Sequence, residues 1–328
     1  MNIKSLLLGS VAAMAAVSGA QAADAIVAAE PEPVEYVKVC DAFGKGYFYI
    51  PGTETCLKLS GYVRTQLSFK ADGYGINGKG DYDAESKATF NVEAKSDTEF
   101  GALTGYINFE LKDTGDVNLD GAWINVAGFD VGNFYNWWDD GINGDGMSLG
   151  SSRTRQNAIR YTYDGGGFTA GAAVEELVTT NASSNDDIGL SGKLGYAVGG
   201  VSAWVIASYD FDADEAAFKG KFSADVGPGT FQLAGIYAAD PSYYWSTSEW
   251  TVAGSYSIKA TDKLTITPAV QYFGDYGFVS GTDAWQTSLT AGYQLTEGLR
   301  TLASVKYFDE DGPNNDQWTG FLRLQRDF

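Results

Sequence analysis

A Gly- and Asp-rich segment, 136–156, combines three carboxylates with two arginines at the point where it returns to regular sequence, and further bases lie in nearby segments. Acids and bases that face each other across a narrow aqueous passage create a transverse field, which orients dipolar solutes. These charges would suit such a constriction if the segment lies within a pore, although each could equally be an ordinary solvated one. The candidate residues are Arg64, Lys87, Asp139, Asp140, Asp145, Arg153, Arg155 and Arg160.

Catalytic and metal chemistry has little support in this chain. It contains no histidine, which removes Ser-His-Asp and Cys-His nucleophile systems and most zinc sites. The glycines of 73–78 are not followed by a helical pattern, so they do not indicate dinucleotide binding. The run 139–146 fails the EF-hand spacing, and weak calcium binding by its carboxylates stays open. We predict no catalytic residues, no metal and no cofactor.

The two cysteines, Cys40 and Cys56, both precede the first alternating segment. In an oxidising periplasm they would form one disulfide that closes a short loop. A metal pair or two free thiols are the alternatives, and the absence of histidine weighs against a metal pair.

Alternation of apolar and polar residues extends from Leu57 to Phe328 and predicts β-strands with one apolar and one charged face. In 57–69, for example, Leu57, Leu59 and Val63 alternate with polar side chains. Most basic residues fall on the polar phase, which would be explained if the apolar phase met lipid. The polar-phase bases are Lys58, Arg64, Lys70, Lys87, Lys95, Lys112, Arg160, Lys193, Lys219, Lys221, Lys259, Arg300, Lys306 and Arg323.

About sixteen strands are predicted, joined alternately by tight turns and by longer loops. This segregation of loop length is typical of outer-membrane β-barrels. A soluble β protein is the alternative, but sixteen strands with charges along one face do not also close a packed interior. The strands predicted are 57–70, 82–95, 99–112, 119–127, 129–135, 157–164, 167–175, 188–198, 200–210, 214–226, 229–238, 248–259, 263–273, 284–295, 299–308 and 316–328.

The start of the chain predicts export. Residues 1–22 have the charged, apolar and small-residue regions of a signal peptide, with cleavage between Ala22 and Ala23. An N-terminal segment, 23–56, would then precede a single barrel domain over 57–328. With 22 Lys and Arg against 42 Asp and Glu, the chain is unsuited to nucleic acid. The sequence after residue 22 has no apolar run long enough for a spanning helix.

The stretch YFYIPGTETCLKLSGYVRTQL, 47–67, resembles the start of the alphaproteobacterial outer-membrane porins, as do 39–44, 122–137 and the C-terminal Phe328. The resemblance implies a homotrimer of all-β, 16-stranded transmembrane antiparallel barrels in the outer membrane of a Gram-negative bacterium. It implies short periplasmic turns, a third external loop folded into the pore, and surrounding lipid and lipopolysaccharide. Phe328 would be the C-terminal barrel signal, from whose alternating pattern Arg326 departs.

We therefore expect a channel for passive diffusion of small hydrophilic solutes and ions, not an enzyme. A sugar-selective channel with a saturable site is the alternative, and it would need a ladder of aromatic side chains along the lumen. The polar phase shows only scattered ones, such as Tyr62, Tyr106, Trp123 and Trp204. A barrel enzyme or a secreted β-rich binding protein is the third hypothesis.

Overall fold

A computed structural model describes residues 38–71, 82–150, 153–177, 187–313 and 316–328. The predicted signal peptide, its cleavage site at Ala22 and Ala23, and the glycines of 73–78 lie outside the described residues. Across the part of the chain that is described, no helix is long and apolar enough to cross a membrane.

Among the described residues, sixteen long antiparallel strands follow one short strand, and each long strand pairs with the next in sequence. The last strand also pairs with the first long one, from Trp318 opposite Ala71 to Asp327 opposite Tyr62, which closes the sheet into a barrel. The predicted 16-stranded barrel is confirmed. The strands are β1 Tyr47–Tyr49, β2 Cys56–Ala71, β3 Tyr82–Thr98, β4 Gly101–Lys112, β5 Val117–Val126, β6 Phe129–Tyr135, β7 Arg155–Asp164, β8 Phe168–Leu177, β9 Asp187–Val198, β10 Val201–Asp210, β11 Glu215–Val226, β12 Gly229–Ala238, β13 Ser248–Lys259, β14 Leu264–Tyr276, β15 Ala284–Thr296, β16 Leu299–Glu310 and β17 Gln317–Asp327.

The two faces of the barrel wall differ in polarity, as the alternation predicts. On β2 the apolar Val63 and Leu67 are exposed on the outside, whereas Arg64 alternates with them and faces inward. Arg326, the departure from this pattern, lies opposite Leu299 at the short-turn end of the barrel. Its guanidinium donates hydrogen bonds to the backbone oxygens of Glu297 and Asp327, which satisfy it at the edge of the wall.

Loop length follows strand parity. Tight turns, such as 127–128, 199–200 and 227–228, join the strands at one end. Gly199 and Gly227 have positive φ in these turns, a conformation that glycine adopts without a steric penalty. The longest described loops, 136–154 and 239–247, are at the other end.

A disulfide-linked hairpin covers the edge of β2 beyond the end of β17. Cys40 and Cys56 are bonded and buried, which confirms the predicted disulfide. The backbone of Phe328 exchanges two hydrogen bonds with Gly61, and β1 takes over the same edge of β2 at residues 56–58. An unpaired strand edge is a template for unwanted pairing, and β1 extends the protection of this edge to residues 56–58.

The disulfide is predicted to stabilise the folded barrel. The double variant Cys40→Ser/Cys56→Ser should lose about 3 kcal/mol of unfolding free energy, because the closed loop restricts the unfolded chain. Urea titration of the refolded protein in detergent micelles measures this difference. Dithiothreitol should destabilise the wild type equally and leave the double variant unchanged; equal midpoints for all samples would contradict the prediction.

Candidate functional site

The loop 136–154, here called the inner loop, is the third on the long-loop side and crosses the lumen to the opposite wall. The backbone N–H of Asn143 donates to Gln232 of β12 at 2.6 Å, and that of Asp145 donates to Thr290 of β15 at 3.0 Å. Ser148 is held from both sides by the amide of Gln271 on β14. These bonds fix the inner loop inside the barrel, as the resemblance implied.

The root of the inner loop is a 3₁₀ turn, Trp137–Asp139. The side chain of Asn136 accepts a hydrogen bond from the backbone N–H of Trp138 and so caps the turn. Trp138 is buried, and its indole N–H donates to Ser208 on β10 at 2.9 Å. The large apolar ring and its single satisfied donor together anchor the root against the wall.

Lys219 on β11 also binds the root of the inner loop. Its ammonium donates to the backbone oxygens of Trp138, Asp140 and Leu149, and lies 2.9 Å from the Trp138 oxygen. The side chain is 2% exposed. A buried ammonium is tolerable only with such partners, so Lys219 and the three carbonyl groups depend on one another.

A second buried network supports the wall behind the loop. The Glu175 carboxylate accepts hydrogen bonds from Ser191 and from Tyr244, both at 2.6 Å. Tyr244 belongs to the loop 239–247, and burial together with the charge of Glu175 raises the pKa of its phenol. The phenol therefore stays protonated and available to donate at neutral pH. Ser191 continues the network to Ser208, which holds Trp138.

A row of bases stands on β2, β3 and β4. Arg64 lies opposite Lys87 in the strand register, and Lys87 lies opposite Lys112. Such neighbouring like charges repel, and carboxylates offset the repulsion. Glu110 lies 2.5 Å from the Lys87 ammonium and 3.5 Å from that of Lys112, and Glu85 lies 4.0 Å from Arg64.

The three predicted acids are on the inner loop but have separate partners. Asp139 accepts from Thr154 of the same loop at 2.7 Å. Asp140 lies 2.8 Å from the ammonium of Lys221 on β11, and Asp145 lies 3.8 Å from Arg323 on β17. Asp145 thus connects the tip of the loop to the strand beside the basic row.

The predicted bases contact carboxylates of the wall. Arg160 lies 2.8 Å from Asp130, and Arg155 lies 3.7 Å from Asp120 and also donates to the Leu119 oxygen. Arg64 and Lys87 lie in the basic row, and Arg153 interacts electrostatically with Tyr243 of loop 239–247. The structure therefore pairs Arg64, Lys87, Arg155 and Arg160 with acids that the sequence did not single out.

Lys219, Lys221 and Arg323 are contact residues that the sequence analysis did not select. All three were placed on the polar phase, but a linear pattern does not show which strands lie across from a loop. Of the lumen aromatic residues named from the sequence, Tyr106 and Trp123 form one tilted ring pair across β4 and β5, with centroids 4.1 Å apart.

Known proteins similar to this chain are consistent with the barrel architecture. The sequence profile described as "Porin subfamily" matches residues 24–323. The chain is 45% identical to outer membrane protein IIIA of Rhizobium leguminosarum bv. viciae over 347 residues, covering 98% of this chain and 93% of that protein. It is 35% identical to porin Omp2b of Brucella suis over 374 residues, covering all of both chains.

Among solved structures, the chain is similar to OmpT, an outer membrane protein of Vibrio cholerae described in a trimer form. The TM-score is 0.68 at 14% identity, and the match covers 84% of this chain and 100% of that one. At this identity the likeness shows the fold alone.

Lys219→Met is predicted to release the root of the inner loop. The substitution leaves the buried carbonyl groups of Trp138 and Leu149 without a donor, at a cost of about 1–3 kcal/mol each. Amide hydrogen exchange over 137–150 should accelerate by about tenfold or more, and trypsin should cleave faster after Arg153.

Lys221→Met is the matched control, two residues along the same face of β11. Lys221 donates to the exposed Asp140 carboxylate and to the Gly141 oxygen, so its loss should have a smaller effect. Equal acceleration in both variants would contradict the specific role of Lys219.

Proposed function

We propose that solutes pass between the inner loop and the basic row by passive diffusion. The chain belongs to the porin subfamily and forms an outer-membrane channel. Small hydrophilic solutes and ions are the proposed cargo. The single observation that supports this most is the course of the inner loop, which carries three carboxylates into the barrel and is bonded there to β12, β14 and β15.

The electrostatics of this passage favour polar solutes. Asp139 and Asp140 are exposed on the loop, whereas Arg64 and Lys87 extend from the wall. A field between the two sides acts on dipolar molecules and offers nothing to apolar ones, which would have to displace ordered water. We propose Arg64, Lys87, Asp139, Asp140, Asp145, Arg153, Arg155 and Arg160 as charges that set this field.

Reversal potentials test whether both groups line the narrowest passage. Purified protein in a planar bilayer should conduct in large steps with weak cation preference, since acids outnumber bases in the chain. Asp139→Asn/Asp140→Asn/Asp145→Asn should move the reversal potential under a salt gradient towards anions. Arg64→Gln/Lys87→Gln should move it towards cations.

Three acids at the short-turn end provide the control. Asp97, Asp164 and Asp262 are exposed and lie at or next to tight turns. Their triple change to Asn removes the same charge and should leave the reversal potential nearly unchanged. An equal shift in this control would contradict the proposed constriction, and absence of conductance in the wild type would contradict the channel itself.

We further propose that the mature chain begins at Ala23 and assembles as a homotrimer in contact with lipid and lipopolysaccharide. The signal-peptide pattern supports the first part, and the trimer form of the V. cholerae relative supports the second. Native mass spectrometry should give three copies of a chain that starts at Ala23. A monomer, or a chain that retains Met1, would contradict the respective part.

A further inference from the structure

An unusual group of lysines surrounds one tryptophan of the inner wall. The ring centroid of Trp204 on β10 lies 5.0 Å from the ammonium of Lys193 and 5.8 Å from those of Lys219 and Lys221. Trp137, from the root of the inner loop, lies 6.0 Å from the same Lys193 ammonium. Here Trp137, Lys193, Trp204 and Lys221 are called the lysine–tryptophan patch.

The members of this group differ in how their charge is satisfied. Lys219 is bonded to three backbone oxygens, and Lys221 is paired with Asp140. For Lys193, by contrast, no carboxylate of the described residues lies within ion-pair distance, and its ammonium lies against the two indole rings. An indole face attracts a cation, but it leaves the ammonium able to bind an anion.

The strand register concentrates the positive charge. Lys193 on β9 and Lys219 on β11 both lie opposite Ile206, one on each side, and Lys221 lies opposite Trp204. The charge of Asp140 acts on Lys193 and Lys219, and that of Asp139 acts on Lys219 as well. In a chain with a formal net charge of −20, this part of the lumen is thus locally basic.

The two indole rings add a partly exposed aromatic surface to the patch, and the Arg160 guanidinium lies 5.6 Å from the centroid of the Trp137 ring. Trp137 and Trp204 are half-buried, so part of each ring remains exposed. The Trp137 ring packs over Gly171 of β8, where a Cβ atom would come within 2.7 Å of the indole. The absence of a side chain at Gly171 therefore allows this ring to lie against the wall beside Lys193.

We propose that the lysine–tryptophan patch is a binding site for a small ring that carries a carboxylate, as in a hexuronic acid. The carboxylate pairs with Lys193, and the C–H face of the ring stacks on Trp204 and Trp137. The combination explains why both elements are adjacent: the cation alone would bind any anion, and the rings alone would bind a neutral sugar. The inference rests on the proposed channel function, because the solute reaches the patch through the lumen.

Block of single-channel current in a planar bilayer tests the site with glucuronate, glucose and acetate as probes. Glucuronate should reduce the current saturably in the wild type. It should do so at about tenfold lower concentration than glucose or acetate, since only glucuronate gains both the charge-assisted bond and the stacking. Equal block by acetate, or no saturable block in a conducting channel, would overturn the proposal without affecting the channel function.

The variants assign the effect to named residues. Lys193→Gln should raise the half-blocking glucuronate concentration about tenfold, Lys193→Arg should retain binding, and Trp204→Leu should weaken glucuronate but not acetate. Lys306→Gln is the matched control: it removes a lumen charge from β16 that has no aromatic partner among the described residues. Equal weakening by Lys193→Gln and Lys306→Gln would show a general field effect and overturn the site. The comparison of the three probes in the wild type needs no variant to fold.

Discussion

Satisfaction of the backbone hydrogen bonds is the constraint on which the rest of this molecule depends. A strand in lipid has no water to bond its free edge, so the sheet has to close. Closure occurs where β17 pairs with β2, and the bonds between Phe328 and Gly61 extend it to the last residue. Beyond that point β1 pairs with β2, and the Cys40–Cys56 disulfide ties the hairpin in place. The seam edge of β2 is therefore paired over residues 56–58 and 61–71.

Closure separates an apolar outer surface from a wide, water-filled lumen. The polar groups of the lumen then need partners of their own. Sixteen strands enclose more space than wall side chains fill, so charges there face water unless another element enters. The inner loop is that element. Its backbone groups bond to Gln232, Gln271 and Thr290, which are polar side chains of the opposite wall. Wall and loop thus satisfy one another.

The strands were predictable because their signal is local. Alternation fixes which face of each strand is apolar, and turn residues fix where it ends, so β12 and β13 were predicted with the observed bounds. The site was predictable only in part. The acids Asp140 and Asp145 lie on the loop that the sequence indicated, but their partners Lys221 and Arg323 are on distant strands. Closure brings those strands together, and no spacing along the chain records which of them the loop reaches. The resemblance supplied the inward course of the loop, which periodicity alone does not contain.

Lys219 and Lys221 show that contacts with the inner loop, rather than the residue type, determine the environment of a charged side chain in the lumen. The two lysines share a strand and a face, yet one is buried among three carbonyl oxygens and the other is paired with an exposed carboxylate. Lys193 lies on the neighbouring side of the same tryptophan, where the loop presents an indole instead of an oxygen. Cations cost free energy to confine together, and the structure offsets two of the three with loop groups. The ammonium of Lys193 lies between two aromatic rings and has no loop oxygen as a partner among the described residues. It is therefore the one of the three lysines that we propose binds an anionic solute.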